Sequence, residues 1–163
     1  MTPPTDTLVA ALAARLRALG WTMATAESCT GGLIAAACTD LAGSSDWFER
    51  GFVTYSNAAK TELLGVDAAL IERHGAVSEA VARAMAAGAA ERAGTAAALS
   101  VTGIAGPTGG SPSKPVGTVW FGWRLPDGRV DSEVRHFSGD RAAVRHAAAE
   151  HALAGLLQRL TAA

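Results

Sequence analysis

The sequence predicts an α/β fold, a three-layer α/β/α sandwich around a mixed sheet, and three observations indicate it. Helix-like and strand-like segments alternate early in the chain, which is the order that produces parallel strands joined by helices. The segment 96–102 is short and apolar throughout, as expected of a buried strand. Near the end, Pro126-Asp127-Gly128 separates two strand-like segments and predicts an antiparallel hairpin.

The individual elements follow from local patterns. The first helix is indicated by leucines that recur near the 3.6-residue period, namely Leu8, Leu12, Leu16 and Leu19. Thr5 or Asp6 is expected to cap this helix and Gly20 to end it. Strands are predicted at 21–26, 48–55, 96–102, 118–125 and 129–137. Helices are predicted through 33–37 and at 57–64, 68–74, 78–93 (capped by Ser78) and 139–160.

Composition limits the function classes. The 163 residues suit one domain, predicted over 1–163, since no repeat or linker-like change in composition interrupts them. A net charge of −1 provides no basic patch for nucleic acid, so no nucleic-acid partner is expected. The amino terminus lacks a signal-peptide pattern, and no apolar run approaches the ~18 residues of a membrane span. The protein is therefore expected in the cytoplasm, without a membrane partner.

The cysteines and histidines give no metal or disulfide signal. If Cys29 and Cys38 share a helix, they lie ~13 Å apart along its axis. That is beyond the ~7 Å between Cα atoms that a disulfide tolerates. No spacing suited to a metal site is found among His74, His136, His146 and His151. The sequence therefore predicts neither a metal nor a cofactor.

Ser28 stands at a predicted strand-to-helix turn, within the sequence Glu27-Ser28-Cys29-Thr30-Gly31-Gly32. A nucleophile there would benefit from backbone N–H groups and from the positive end of the helix dipole, which stabilise an oxyanion. The alternative is that Ser28 is an ordinary helix cap and that the glycines pack tightly. Taken alone, this segment favours the cap.

Lys60 follows Tyr55 and Asn57 in a second predicted loop-to-helix segment. A lysine acts as a general base only when neutral, which requires burial or a nearby positive charge. Tyr55 could orient it or carry a proton. The alternative is a solvent-facing lysine on a short helix that Asn57 caps, and it is the commoner situation for lysine.

The glycine-rich segment 102–115 is predicted to be an ordered loop that binds an anion such as phosphate. Gly103, Gly106 and Gly109 free backbone N–H groups for this purpose, and the prolines stiffen the loop. The spacing matches neither a Walker A loop nor a dinucleotide fingerprint. Ser111 and Lys114 have the Ser-x-x-Lys spacing of penicillin-binding proteins, but the surrounding prolines exclude the helix on which that motif lies.

Arg141 and Arg145 lie one turn apart at the start of the last predicted helix, after a cap at Ser138 or Asp140. Cations at a helix N-terminus oppose the dipole, so they are expected to meet an anion. A substrate phosphate and the carboxylate of Asp140 are equally good candidates. Cys29 is the rival nucleophile, because a helix start lowers a thiol pKa, but none of the three loops provides a histidine partner.

Together these segments resemble the CinA C-terminal family. The stretches that carry the resemblance occur in one order along nearly the whole chain: 26–32, 51–60, 63–66, 75–79, 102–107, 114–119, and 139–141 with Arg145. The resemblance implies a three-layer α/β/α fold and an amidohydrolase that converts nicotinamide mononucleotide to nicotinic acid mononucleotide and ammonia. The family's catalytic serine falls on Ser28 and its lysine on Lys60, with Tyr55 and Thr102 lining the same site.

The mechanism predicted from this combination is a Ser-Lys acyl-enzyme reaction. Neutral Lys60 would take the proton from Ser28. Backbone N–H groups near Thr30, Gly31 and Gly32 would stabilise the oxyanion. The phosphate would be held by a larger set: Asn57, Thr102, Gly103, Gly106, Gly109, and Arg141 or Arg145.

Two alternatives to the enzyme remain open. The domain could be a nucleotide-binding or scaffold module that performs no chemistry. It could also bind nucleic acid, against which the charge argues. The alanine-rich helices that begin at Ser78 and Asp140 could bury one another or a second subunit, so a homo-oligomer is possible.

Overall fold

The computed structural model describes residues 2–162, so Met1 and Ala163, the ends of the predicted domain, lie outside the described residues. That residues 1–163 form a single domain stays a prediction. Within the described part, the helices are α1 (Thr5–Leu19), α2 (Leu33–Asp40), α3 (Asn57–Leu64), α4 (Ala68–His74), α5 (Glu79–Ala93) and α6 (Arg141–Ala162), with a 3₁₀ turn at Ser44–Asp46. The strands are β1 (Met23–Glu27), β2 (Phe48–Val53), β3 (Ala97–Gly103), β4 (Thr118–Arg124) and β5 (Val130–His136).

The strands form one mixed sheet in the order β2-β1-β3-β4-β5. β2, β1 and β3 are parallel, whereas β3–β4 and β4–β5 pair antiparallel. The mixed sheet and the late hairpin predicted from the sequence are therefore confirmed. β3 lies inside the sheet and is buried along almost its whole length, which explains its continuous apolar sequence.

Helices cover both faces of the sheet and complete the three layers. One core cluster joins the sheet to α1, α2 and α6 through side chains such as Leu12 and Leu156. A second cluster joins the opposite face to α3, α4 and α5 through Val81 and Met85. The alanine-rich helices α5 and α6 thus lie on opposite faces, so they do not bury one another as the sequence had allowed.

α5 approaches α3 closely at Gly88. A Cβ atom placed on Gly88 would meet the carbonyl oxygen of Leu64 at 2.0 Å, so no larger residue fits without a shift of the backbone. Leu64 ends α3, the helix that carries Lys60. This contact helps to fix α3 against the sheet.

Helix ends agree with the sequence predictions at some places and differ at others. Gly20 ends α1 in the left-handed conformation (φ 70°), and Ser78 caps α5 by accepting a hydrogen bond from Val81 N–H. The predicted cap of α1 is wrong, because Thr5 is already helical and Pro4 occupies the cap position without a side-chain bond.

Ser56, not Asn57, caps α3, since its Oγ accepts from Ala59 N–H at 3.0 Å. Asn57 is therefore the first residue of the helix, with its side chain left available at the surface.

Among the helices within residues 2–162, none has both the length and the apolar character needed to cross a bilayer.

Candidate active site

The carboxyl ends of the three parallel strands meet at one edge of the sheet. Ser28 directly follows β1, and its N–H donates to Val101 O of β3 at 3.0 Å. Thr54 directly follows β2, and its N–H donates to Glu27 O of β1 at 2.8 Å. Thr102 lies near the end of β3. This edge is where ligands collect in open α/β sheets.

A cavity of about 240 Å³ lies at this edge. Its lining includes seven of the predicted site residues: Ser28, Tyr55, Asn57, Lys60, Thr102, Gly103 and Arg141. Cys29 also lines it, as do three residues that the sequence analysis missed, Ala76, Val77 and Ala105. These three are small or apolar and carry no chemical signal, although 75–79 belongs to the stretches that resemble the family.

The other predicted site residues lie outside the cavity lining. They are Thr30, Gly31, Gly32, Gly106, Gly109 and Arg145. Three of them contact residues that line it, since Gly31 N–H donates to Ser28 O, Gly106 O accepts from Arg141, and Arg145 donates to Cys29 O. That any of the six binds substrate stays a prediction.

Ser28 and Lys60 form a buried pair. Lys60 Nζ lies 3.0 Å from Ser28 Oγ, and the two residues are 1% and 8% exposed. Nζ also donates to the carbonyl oxygens of Thr54 at 3.0 Å and Tyr55 at 3.1 Å. The alternative of a solvent-facing lysine is therefore wrong, because α3 turns this residue inward under the end of β2.

Burial also governs the protonation of Lys60. Within residues 2–162 it forms no ion pair with a carboxylate. Desolvation lowers its pKa, because the charged ammonium loses water without gaining a counter-ion. Cys29 as a thiolate would raise this pKa, but the thiol is itself neutral at ordinary pH.

Cys29 is a buried thiol rather than an activated one. Burial raises its pKa to about 11, so the lowered pKa expected at a helix start is wrong. Cys38, within α2, is likewise buried, with its pKa raised to about 12. Both thiols are free, in agreement with the prediction that they do not pair.

The turn after β1 differs from the sequence prediction. Ser28 does not cap α2, which begins at Leu33 after Gly32 in the cap position (φ 105°). The carboxylate of Glu27 binds the free N–H groups at this helix start. It is buried and accepts from Gly32 N–H at 3.2 Å, Ile34 N–H at 3.0 Å and Ala35 N–H at 3.0 Å. This role of Glu27 was not predicted from the sequence, although a carboxylate next to a helix start is the favourable charge there.

These bonds change which N–H groups are available near Ser28. Gly31 N–H donates to Ser28 O at 3.1 Å, and Gly32 N–H is bound to Glu27, so neither is a free donor as expected. In the part of the chain that the structure describes, the N–H groups of Cys29 and Thr30 donate to no other residue. The Thr30 hydroxyl is buried and has no partner there.

Arg141 and Arg145 have different surroundings. Arg141 is exposed at the mouth of the cavity and donates to Gly106 O at 2.8 Å and to Tyr55 Oη at 3.3 Å. Arg145 is half-buried and donates to Cys29 O at 3.0 Å and to Thr30 O at 3.2 Å. Asp140 pairs with neither, because its carboxylate accepts from Ala143 N–H, so that expected partner is wrong.

Tyr55 contacts Lys60 through its backbone and not through its phenol. The carbonyl oxygen accepts from Nζ, whereas the side chain is 63% exposed beside Arg141. A catalytic role for the phenol stays a prediction. A larger groove of about 450 Å³ between α3 and α4 shares Asn57 with the site, but it contains neither the serine nor the lysine.

The thirteen predicted site residues include no metal ligand set. Across residues 2–162, no three His, Cys, Asp or Glu side chains come together as a metal site would require. His146 and His151 face separate carboxylates, Glu150 and Glu133. Chemistry without a metal stays a prediction.

The comparison with known proteins agrees with this architecture. A family model described as the CinA C-terminal domain matches residues 5–160. The nicotinamide-nucleotide amidohydrolase PncC of Enterobacter agglomerans is 61% identical over 142 residues, which are 87% of this chain and 87% of the relative. A relative of the same name from Pseudomonas putida is 54% identical over 156 residues, covering 95% and 96%.

A solved structure extends the agreement to the backbone. The crystal structure of a competence-damaged protein (CinA) superfamily member from Klebsiella pneumoniae superposes with a TM-score of 0.94 at 39% identity. The match covers 99% of this chain and 100% of that chain. Since sequence and backbone agree over nearly the full length, the chain belongs to the CinA C-terminal domain family.

Proposed function

We propose that this protein is a nicotinamide-nucleotide amidohydrolase, which converts nicotinamide mononucleotide and water to nicotinic acid mononucleotide and ammonia in pyridine nucleotide salvage. The observation that carries the proposal is the buried contact between Lys60 Nζ and Ser28 Oγ. Relatives at 54–61% identity that bear this enzyme's name support the choice of substrate. The net charge of −1 also fits a small-molecule substrate better than nucleic acid.

The surroundings of Lys60 suit a general base. Carbonyl oxygens accept only, so those of Thr54 and Tyr55 engage two N–H bonds of the amine. In the neutral amine, the lone pair then takes the remaining direction, toward Ser28 Oγ. The lowered pKa increases the neutral fraction at a given pH. Geometry and burial therefore both prepare Lys60 to accept the serine proton.

The reaction then proceeds through two tetrahedral intermediates. Ser28 Oγ attacks the carboxamide carbon while its proton passes to Lys60 Nζ. The C–N bond breaks, and the protonated lysine gives its proton to the leaving nitrogen, which departs as ammonia. Water attacks the resulting ester, Lys60 takes a proton from it, and the C–O bond to Ser28 breaks. Lys60 returns its proton to Ser28 Oγ, and the acid product loses its own proton to solvent and leaves as the carboxylate.

The oxyanion requires donors that are not already engaged. The N–H groups of Cys29 and Thr30 meet this condition, whereas those of Gly31 and Gly32 do not. We therefore assign stabilisation of the oxyanion to the N–H groups of Cys29, which lines the cavity, and of Thr30, which follows it in the chain, in place of the glycines. Such donors near a nucleophile act strongly in a site that excludes water.

The mouth of the cavity suits the ribose phosphate. Arg141 has a guanidinium without a carboxylate partner in the described chain, and it lies on the cavity wall. Asn57, Thr102 and Gly103 line the same cavity and complete the substrate contacts. The Thr102 hydroxyl donates to Ala76 O at 2.8 Å, so its proton is not available to the substrate and the residue serves to shape the cavity wall. We also assign the enzyme to the cytoplasm, as the sequence predicts.

The test is ammonia release from nicotinamide mononucleotide by the purified protein in the presence of EDTA. The wild type is expected to release ammonia, and Ser28→Ala is expected to lose at least ~10³-fold in kcat. Ser45→Ala, at an exposed serine outside the cavity, is the matched control. Mass spectrometry of denaturant-quenched reactions should detect the acyl group on Ser28.

Two outcomes would contradict the proposal. Nucleotide binding without ammonia release would make the domain a binding module. Full activity of Ser28→Ala would remove the serine from the mechanism and leave Cys29 as the nucleophile to examine.

A further inference from the structure

The hydrogen bonds of Arg145 are those of neither a surface ion pair nor a phosphate site. Its Nε and Nη2 donate to two successive carbonyl oxygens, those of Cys29 and Thr30. In the described chain it has no carboxylate partner, and it does not line the cavity. A half-buried guanidinium is thus committed to the backbone of the turn that carries Ser28.

The two carbonyls determine where the neighbouring N–H groups point. In a trans peptide the N–H is directed away from the C=O of the same peptide unit. The Cys29–Thr30 peptide is trans, since the cis bond in the described chain is Gly106–Pro107. Because Cys29 O faces Arg145, Thr30 N–H must face the opposite side of the turn. A carbonyl that accepts a charged hydrogen bond also polarises its peptide and strengthens that N–H as a donor.

The neighbouring bonds fix the remainder of the turn. Gly31 N–H closes it onto Ser28 O, and Glu27 holds Gly32 N–H. Gly31 allows the guanidinium to come close, since a Cβ there would lie 3.2 Å from Arg145 Nη2. Since Ser28 N–H donates to Val101 O, every backbone N–H of residues 28–32 except those of Cys29 and Thr30 is engaged within the described chain.

We propose that Arg145 is a positioning residue, which orients the Cys29–Thr30 peptide so that its N–H faces the oxyanion formed at Ser28. This inference rests on the proposed function and replaces the expectation that Arg145 binds the substrate phosphate. It separates the two arginines of α6: Arg141 contacts substrate, and Arg145 acts through the backbone.

The test compares Arg145→Met with Arg145→Lys and with a matched control. Arg15→Met is the control, because Arg15 Nε also donates to a carbonyl of α6, that of Leu160, at 3.1 Å. Fifteen residues separate Leu160 from Arg145, which is ~22 Å along the helix. The thermal midpoint of each variant establishes that it is folded. If Arg145→Met does not fold, Arg145→Lys decides: a smaller fall in kcat with little change in KM supports the inference, and an unchanged kcat overturns it.

Two substrates distinguish positioning from phosphate binding: nicotinamide mononucleotide and nicotinamide riboside, which lacks the phosphate. Arg145→Met is expected to lower kcat by about 10²-fold for both, the usual cost of losing one oxyanion donor, with KM changed by less than ~3-fold. Arg145→Lys should restore part of kcat, and Arg15→Met should retain it. A rise in KM confined to the mononucleotide, or an unchanged kcat, overturns the inference.

Acylation of Ser28 by p-nitrophenyl acetate separates this inference from the proposed function. If the wild type releases no ammonia but is acylated at Ser28, and Arg145→Met slows acylation by at least ~10-fold, only the proposed substrate fails. If Arg145→Met is acylated at the wild-type rate, the positioning role fails whatever the substrate. A wild type that neither releases ammonia nor becomes acylated overturns both.

Discussion

The inner end of the cavity and its mouth each contain a cation without a carboxylate partner in the described chain, yet they differ in solvent exposure. The inner end consists of Ser28 and Lys60, which are almost completely buried. The mouth consists of Arg141 and the phenol of Tyr55, both exposed. Lys60 contacts fixed carbonyls and one hydroxyl, whereas Arg141 contacts a carbonyl and an exposed phenol.

The difference in exposure gives the two basic side chains different roles, proton transfer for Lys60 and a fixed positive charge for Arg141. Burial destabilises the charge of Lys60, so this amine can become neutral and move a proton. Arg141 stays charged under all ordinary conditions, because a guanidinium is not deprotonated in proteins. Changes at the inner end should therefore alter kcat and its pH dependence, whereas changes at the mouth should alter KM and its dependence on salt.

The largest effect is expected for Lys60→Met, which retains a long side chain but removes the amine. We expect kcat to fall by about 10³-fold or more, because both proton transfers lose their carrier. Steady-state ammonia release measures this, and substrate binding to the variant should remain detectable by calorimetry. Activity within ~10-fold of wild type would mean that the inner end works without a lysine base.

The same residue sets a pH dependence whose sign follows from its burial. In the unfolded chain the pKa of Lys60 is ~10.4, and its pKa in the folded protein is lower. Between the two values the unfolded chain binds more protons, so the free energy of unfolding should rise with pH. Below the folded pKa the penalty of burying the charge is complete and constant. Urea unfolding at several pH values should show this rise in the wild type and not in Lys60→Met.

The pKa of Lys60 can be measured directly, because the chain has two lysines and the other one, Lys114, serves as the control. In protein labelled with ¹³C at lysine Cε, two resonances are expected, and Lys114→Met assigns them. The Lys60 resonance should titrate below the ordinary ~10.4, and kcat/KM should rise with pH around that midpoint. An ordinary pKa for Lys60 would contradict the distinction between the two ends.

A smaller effect is expected at the mouth for Arg141→Met. Losing one charged contact to the phosphate should raise KM for nicotinamide mononucleotide by about 10- to 100-fold while kcat stays within a few-fold. For nicotinamide riboside, which has no phosphate, the rise in KM should be much smaller. Kinetics with both substrates at two salt concentrations measure this. An equal rise in KM for the two substrates would show that Arg141 does not recognise the phosphate.

Much of the fold followed from the sequence, because its signals are local. The apolar segment 96–102, the leucine repeat of α1 and the turn at 126–128 each specify an element without reference to the rest of the chain. The helices α3 and α4 have the predicted bounds. The errors at the starts of α1 and α3 concern single residues, where several neighbours are equally good caps.

The site was only partly predictable, because its properties depend on burial and on bonds between distant segments. Nothing in the local sequence of Lys60 distinguishes it from a surface lysine, and only the family resemblance pointed to it. Glu27 and Arg145 illustrate the same limit. Their partners are backbone groups of one turn, and backbone groups are the same for every residue type. The sequence therefore suggested neither that Glu27 accepts from the N–H groups at the start of α2 nor that Arg145 donates to the carbonyls of the turn.

The smallest effect is expected for Tyr55→Phe, which tests whether the mouth takes part in proton transfer. Lys60 contacts the Tyr55 carbonyl, which this substitution leaves in place, whereas within residues 2–162 the phenol hydrogen-bonds only to Arg141, at 3.3 Å. We therefore expect KM to rise by about 3-fold, as Arg141 loses a weak and exposed partner, with kcat and its pH profile close to wild type. Steady-state kinetics across pH measure both quantities, with Arg141→Met in parallel. A 10²-fold loss in kcat would instead make the phenol a proton carrier, and the mouth would then belong to the chemistry as much as the inner end does.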